Sequence, residues 1–160
     1  MSRYRHEYKY MIDARQEGIL MLKARSLMQP DAHAGADGRY MVRSLYLDDP
    51  EDSAVRKRLL TEINIRGMMP KTIVTYERVP LVYSGGNVRI TFDRRITSSE
   101  DLRHFLTADY TERPVLPPGQ SILEVKWDEL MPGFIRENLK MEDLHWLAFS
   151  KYFLCRTIHN

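Results

Sequence analysis

Lys9, Arg78, Arg89 and Lys126, with Glu7 and Glu124 among them, are the side chains of this sequence whose types and spacing could do chemistry together, and Lys151 is a further cation of the same kind. Arginine grips phosphate oxygens through paired N–H groups and lysine acts on them as a point charge. One or two carboxylates among such cations can hold a hard metal ion that bridges ligand phosphates. The set makes a polyanion site and not an acyl-transfer site, because no nucleophile, base and orienting group fall at a useful spacing. No glycine-rich phosphate loop precedes a helix either, since Ser84-Gly85-Gly86-Asn87 belongs to a hairpin turn. Tyrosines interleave the charges, so on the residues alone a basic-aromatic surface for single-stranded nucleic acid stays open.

These charges need strands to position them. In MSRYRHEYKYMID, Arg3, Arg5, Glu7 and Lys9 occupy every second position between Tyr4, His6, Tyr8 and Tyr10. An extended strand sends successive side chains to opposite faces, so charge lines one face and rings the other. One such strand has an ordinary explanation, a half-buried antiparallel strand with a solvated face. Several in one small domain point further, to a barrel or strongly curved sheet that converges them on one axis. ILEVKWDEL is another, with Glu124, Lys126 and Asp128 alternating with Leu123, Val125 and Trp127. RYMVRSLYLDDPED alternates as well, Ser44, Tyr46 and Asp48 against Arg43, Leu45 and Leu47, until Pro50 stops it. KTIVTYERVPLVYS and NVRITFDRRIT, joined by Gly85-Gly86-Asn87, read as a β-hairpin.

Helices fill the rest. The first strand, roughly residues 3–12, ends at Asp13, which caps a helix over DARQEGILMLKARSLM. Ile19, Leu20, Leu22, Leu27 and Met28 lie mostly on one broad side of it, Gly18 weakens it, and Met21 and Met28 are core fillers. QPDAHAGADG reads as a loop in which His33 is solvated, with no second His or Cys at ligand spacing. Short helices are expected over SAVRKRLL and, capped by Ser98 or Ser99, over SSEDLRHFL. Two more follow in the tail, about residues 133–140 and 143–156, the second packing through Trp146, Phe149, Tyr152 and Phe153.

The 160 residues fit one domain, 1–160, of α+β class, and 43% hydrophobic residues suffice for an ordinary core. A net charge of +2, from 24 basic and 22 acidic residues, says little about partners, so local clustering carries the electrostatics. Cys155, the lone cysteine, reads as a small core residue, and a reducing, cytoplasmic setting is the default. No apolar run approaches the about 18 residues needed to span a membrane. No signal-type apolar segment follows the charged N-terminus.

RHEYKYMID, RSLYLDD, TYERVPLVYSGGNVRITFDRRI, ILEVKWDELMPGFI and AFSKYFLCR, in that order along the whole chain, resemble the VTC domain. This is the polyphosphate polymerase domain of the vacuolar transporter chaperone complex and its bacterial relatives. The resemblance implies the fold of the triphosphate tunnel metalloenzymes, or CYTH superfamily: an antiparallel β-barrel whose tunnel is lined with Arg, Lys and Glu and flanked by helices. It also implies an activity, since polymerases of this family use ATP and a divalent metal, manganese or magnesium, to extend an inorganic polyphosphate chain.

Position by position, the resemblance implies that Lys9, Arg78 and Arg89 point into the tunnel and contact phosphates, with Lys126 beside them. Glu124 would hold the metal, and Glu7, paired with Lys9, fits the carboxylate-and-lysine opening strand of the superfamily and is a second metal candidate. Ser150 and Lys151 of FSKY would add phosphate contacts from the last helix. Arg3 and Arg5 fall toward the rim or solvent. Lys9, Arg78, Arg89 and Lys126 are then the catalytic group, because phosphoryl transfer needs positioning and charge neutralisation and no covalent nucleophile. The attacking group would be the terminal phosphate of the growing chain.

The chain also departs from the family pattern. Members carry a long insertion before the MMPKTIVTYER strand, whereas here AVRKRLLTEINIRG runs almost directly into it. Two central tunnel strands and several cationic ligands are therefore missing, with Arg66 the remnant of their beginning. The expected fold becomes an incomplete tunnel, and its open sheet edges predict a homodimer. The expected function is phosphoryl transfer from ATP to a polyphosphate chain with a divalent metal, with no DNA partner. Two alternatives stand beside it: a triphosphate or polyphosphate hydrolase that directs water at the terminal phosphate, and a noncatalytic phosphate-binding or scaffolding module.

Overall fold

The computed structural model describes residues 5–48, 69–107, 109–140, 144–148 and 150–159. Arg3, Arg66, Phe149 and the helix expected over SAVRKRLL lie outside the described residues. Contacts group the chain into two compact units. Met1–Met41, Glu77–Arg95 and Leu116–Ala148 form the first; Val42–Tyr76, Ile96–Val115 and Phe149–Asn160 form the second.

The first unit holds the opening strand and its neighbours. β1 (Arg5–Asp13) runs straight into α1 (Ala14–Leu27), and Asp13 and Gln16 cap that helix reciprocally, each side chain bonded to the other's backbone N–H at 2.7 and 3.0 Å. β2 (Gln29–Pro30) is a short pairing inside the segment expected to be all loop. β4 (Met69–Tyr83) and β5 (Val88–Ser99) are the two arms of the expected hairpin, the first unit taking β4 from Glu77 and β5 up to Arg95. Gly86 turns between them at φ 73°, where a Cβ would lie 2.4 Å from the Leu130 carbonyl oxygen, so only glycine fits.

β7 (Gln120–Asp128) pairs antiparallel with β1 on one side and β5 on the other, and β8 (His145–Trp146) pairs with the far side of β1. The strand path of this unit is β2-β4-β5-β7-β1-β8, and among the described residues it ends in two open edges. An α+β fold on an antiparallel, incomplete sheet is therefore present, as expected. Residues that alternate with the charged positions make the core: Tyr10 and Ile12 of β1, Ile90 and Phe92 of β5, and Leu123, Val125 and Trp127 of β7 pack with Leu20, Met21 and Ala24 of α1. α2 (Gly133–Leu139) adds Ile135 and Leu139. Met21 and Met28 are core fillers, but Leu22 and Ile19 face solvent because the buried stripe of α1 centres on Leu20 and Ala24.

In the second unit β3 (Tyr40–Asp48) pairs with β4, and β6 (Arg113–Pro114) pairs with β5 through Thr97 and Ser98. α3 (Lys151–His159) closes the chain, its Tyr152 stacked on Tyr46 at 5.0 Å and bonded to Asp48 at 2.9 Å. Cys155 is fully buried here, and burial pushes its thiol up to about 12 against the opposing influence of Ser98 and Lys151, which keeps it neutral and inert as a core residue.

Two helical expectations are corrected. Ser98 and Ser99 do not cap a helix: they end β5, where Ser98 is held in register by Arg113, and only a single helical turn, Leu102–His104, follows. The tail helix expected from residue 143 begins instead at Lys151, because the free edge of β1 takes the chain first. Tyr10 pairs with Trp146, Met11 with His145, and the Leu147 N–H donates to the Lys9 carbonyl at 2.7 Å. Trp146 is thus an exposed strand residue and not part of a helix face.

Candidate polyanion site

Strand parity assembles the charges. On β7, Glu124 lies between Lys9 of β1 and Thr91 of β5, and Lys126 lies between Glu7 and Arg89. All six are of one parity, opposite to the core residues, so three adjacent strands present one polar face. Arg5, Arg78, Arg89, Thr91, Glu124 and Lys126 line a cleft of about 310 Å³ there, counted to its open mouth. Arg5, expected at the rim or in solvent, is exposed and lines this cleft.

The charges are wired to one another in series. Lys9 Nζ meets Glu7 at 2.5 Å, Lys126 meets Glu7 at 3.8 Å and Glu124 more closely, and Arg78 Nη2 stands 3.8 Å from the other Glu124 oxygen. Arg78 then closes on Asp93 by two hydrogen bonds of 2.7 Å, a forked pair with a fully buried carboxylate. Arg89 is held separately: its Nη2 donates to the Tyr40 hydroxyl at 3.1 Å and lies 3.2 Å from Asp31. The His33 backbone N–H bonded to Asp31, opposed by burial and aided by the His33 ring and Arg89, holds that carboxyl below its ordinary range. His33 itself is the solvated loop residue expected.

A face of paired cations and carboxylates can accept a chain of phosphates by trading internal carboxylates for phosphoryl oxygens. The VTC domain family matches residues 54–159, well over half of the sequence. This chain belongs to the VTC domain family. The matched span carries Arg78, Arg89, Thr91, Glu124, Lys126, Ser150 and Lys151, while Glu7 and Lys9 precede it. No curated protein matches the chain.

In this VTC domain the structure brings together Glu7, Lys9, Arg78, Arg89, Glu124 and Lys126 in the first unit. Ser150 and Lys151 belong to the second. Ser150 Oγ accepts from the Phe153 N–H at 3.1 Å and so caps α3, and Lys151 is buried with its Nζ 5.0 Å from the centre of the Tyr76 ring. Sequence reasoning did not single out Thr91, Asp93, Asp31 or Tyr40. The first two were legible, because Arg89, Thr91 and Asp93 share a parity in NVRITFD. Asp31 and Tyr40 come from a distant loop and strand, for which no local pattern gives a signal.

Proposed function

We propose that the cleft binds polyphosphate or a nucleoside triphosphate and that this VTC domain transfers a phosphoryl group from ATP to a polyphosphate chain with a divalent cation. The observation that carries the reading is the polar face itself. Lys9, Arg78, Arg89 and Lys126 stand on four strands that follow one another in the sheet, β1, β4, β5 and β7, beside carboxylates that already act as their internal counter-ions. Such a site catalyses by positioning and neutralising charge.

The residues also suit a cation shared with the ligand. Among the described residues no group of three or more His, Cys, Asp or Glu side chains converges, so the protein would offer Glu124 and Glu7 at most, with phosphoryl oxygens and water completing the shell. Magnesium and manganese accept that division of ligands. When bound, the metal would neutralise charge on the phosphates. Lys9 and Lys126 would orient the chain from either side of Glu124 and Glu7, and Arg78 and Arg89 would grip it from β4 and β5.

The reading is tested by incubating the protein with ATP and manganese, resolving polyphosphate on a gel and measuring released phosphate. Long chains are the expected product. Phosphate without chains would replace polymerisation by hydrolysis, and neither product would leave a binding module.

A further inference from the structure

Thr91 stands out among the described threonines. Thr72 Oγ1 donates to the Ser99 carbonyl, Thr97 Oγ1 to the Thr75 carbonyl, and Thr75 Oγ1 shares a hydrogen bond with Tyr110. Thr91 is 3% exposed, yet its Oγ1 is buried with no hydrogen-bond partner among the described residues. Buried hydroxyls are ordinarily paired, so an orphan asks for an explanation. Its place supplies one, because Thr91 lines the polyanion cleft directly across from Glu124.

A second orphan sits on the same strand. Arg89 spends Nη2 on Tyr40 and Asp31, but its Nε is buried and unpartnered too. Arg89 and Thr91 are two residues apart on β5 and face the same way, a spacing of roughly 6.6 Å along the strand. Both orphans are donors, N–H and O–H. The nearby carboxylates do not serve them: Glu124 is engaged by Lys126 and Arg78, and Asp93 by Arg78. A group rich in acceptor oxygens and carrying negative charge is what satisfies two such donors flanking one position.

We propose that the Thr91 hydroxyl and Arg89 Nε together seat one phosphoryl group of the bound chain, which makes Thr91 a ligand-binding residue of the cleft. This rests on the reading of the cleft as a phosphate site. The unpaired hydroxyl is carried by the free protein at a cost in stability and is satisfied only when the anion arrives. A side chain that served packing alone would show the opposite behaviour, since valine has the same shape without the hydroxyl.

The test is titration calorimetry of the full chain with inorganic tripolyphosphate, together with thermal melting of the ligand-free protein. Thr91→Val and Thr91→Ala are expected to weaken tripolyphosphate binding roughly tenfold, the loss of one hydrogen bond to a charged group. Thr91→Ser keeps the hydroxyl and should bind within about twofold of the unaltered chain. The melting temperature of Thr91→Val should be unchanged or raised. If the unaltered protein binds tripolyphosphate and Thr91→Val and Thr91→Ala bind it equally well, the anion does not use the hydroxyl and the proposal is overturned while the cleft reading stands. If the unaltered protein does not bind it, the cleft reading itself falls and takes this proposal with it.

Discussion

Arg78 and Asp93 face each other across the hairpin as a forked pair, Nε to Oδ1 and Nη2 to Oδ2 at 2.7 Å each, with Asp93 wholly buried and Arg78 16% exposed. Asp93 fixes the plane and direction of the guanidinium, so Asp93 is a positioning residue for a cation of the cleft. Removing it leaves a mostly buried arginine without its strongest counter-charge. Asp93→Ala is expected to lower stability by about 3 kcal/mol in urea unfolding, the scale of a broken buried ion pair. It should weaken tripolyphosphate binding as well. A variant that unfolds at the same urea concentration as the unaltered chain would show that the pair is dispensable.

Lys9 and Arg89 stand on β1 and β5, on opposite sides of β7, and flank the position proposed for the ligand. Each is about a third exposed or less, at 26% and 34%, so each can meet a ligand without leaving its strand. Lys9→Ala and Arg89→Ala should each reduce tripolyphosphate affinity by roughly tenfold or more, with a shallower dependence on salt concentration. Arg89→Lys should not restore binding, because lysine lacks both the fork and the Nε donor. Unchanged calorimetric affinity in both alanine variants would place the anion elsewhere.

The parts of this site that were legible in the sequence are those governed by period two. Glu7 and Lys9, Arg89 and Thr91, Glu124 and Lys126 share a face because strand geometry leaves no other option once the strands are recognised. The cap at Asp13 and the reversal at Gly86 were equally local. What escaped depends on contacts between distant segments. His145 and Trp146 fall inside the expected tail helix and become strand because they pair with the edge of β1. Ser98 reads as a cap and becomes strand because Arg113 lies opposite. Arg89 takes its partners from Asp31 and Tyr40, about fifty positions and more away in sequence, which no periodicity encodes.

Glu124 is the carboxylate proposed to exchange a lysine for a metal. It is 5% exposed, bonded closely to Lys126 and 3.8 Å from Arg78. Glu124→Gln keeps the shape and removes the charge, so tripolyphosphate binding should lose its dependence on added magnesium or manganese while metal-free binding holds or improves as Lys126 is released. Metal titrations that superimpose for the variant and the unaltered chain would assign the cation to other residues.

Among the described residues the strand path ends at β2 and β8, and these ends bear on assembly. An uncovered edge presents unpaired backbone donors and acceptors, and pairing with a second copy satisfies them. Multi-angle light scattering is expected to report twice the chain mass of 18.9 kDa. A stable monomer at high protein concentration would exclude the dimer.

Asp31 links pH to the placement of Arg89. Its carboxyl sits below the ordinary 3.8, first because the His33 N–H bonds to it at 2.9 Å, against the opposing effect of burial, and then through the His33 ring and the charge of Arg89. A carboxyl with a lower pKa folded than unfolded takes up its proton more readily in the unfolded chain. Its contribution to stability is therefore complete above the unfolded value and drains away as pH falls through the folded one. Urea midpoints of the unaltered protein should decline as pH drops below about 4. Asp31→Asn should start less stable at neutral pH and lack this part of the decline, so the two curves converge in acid. Parallel curves across the whole range would show that Asp31 contributes nothing that titrates, and that Tyr40 alone holds Arg89 in place.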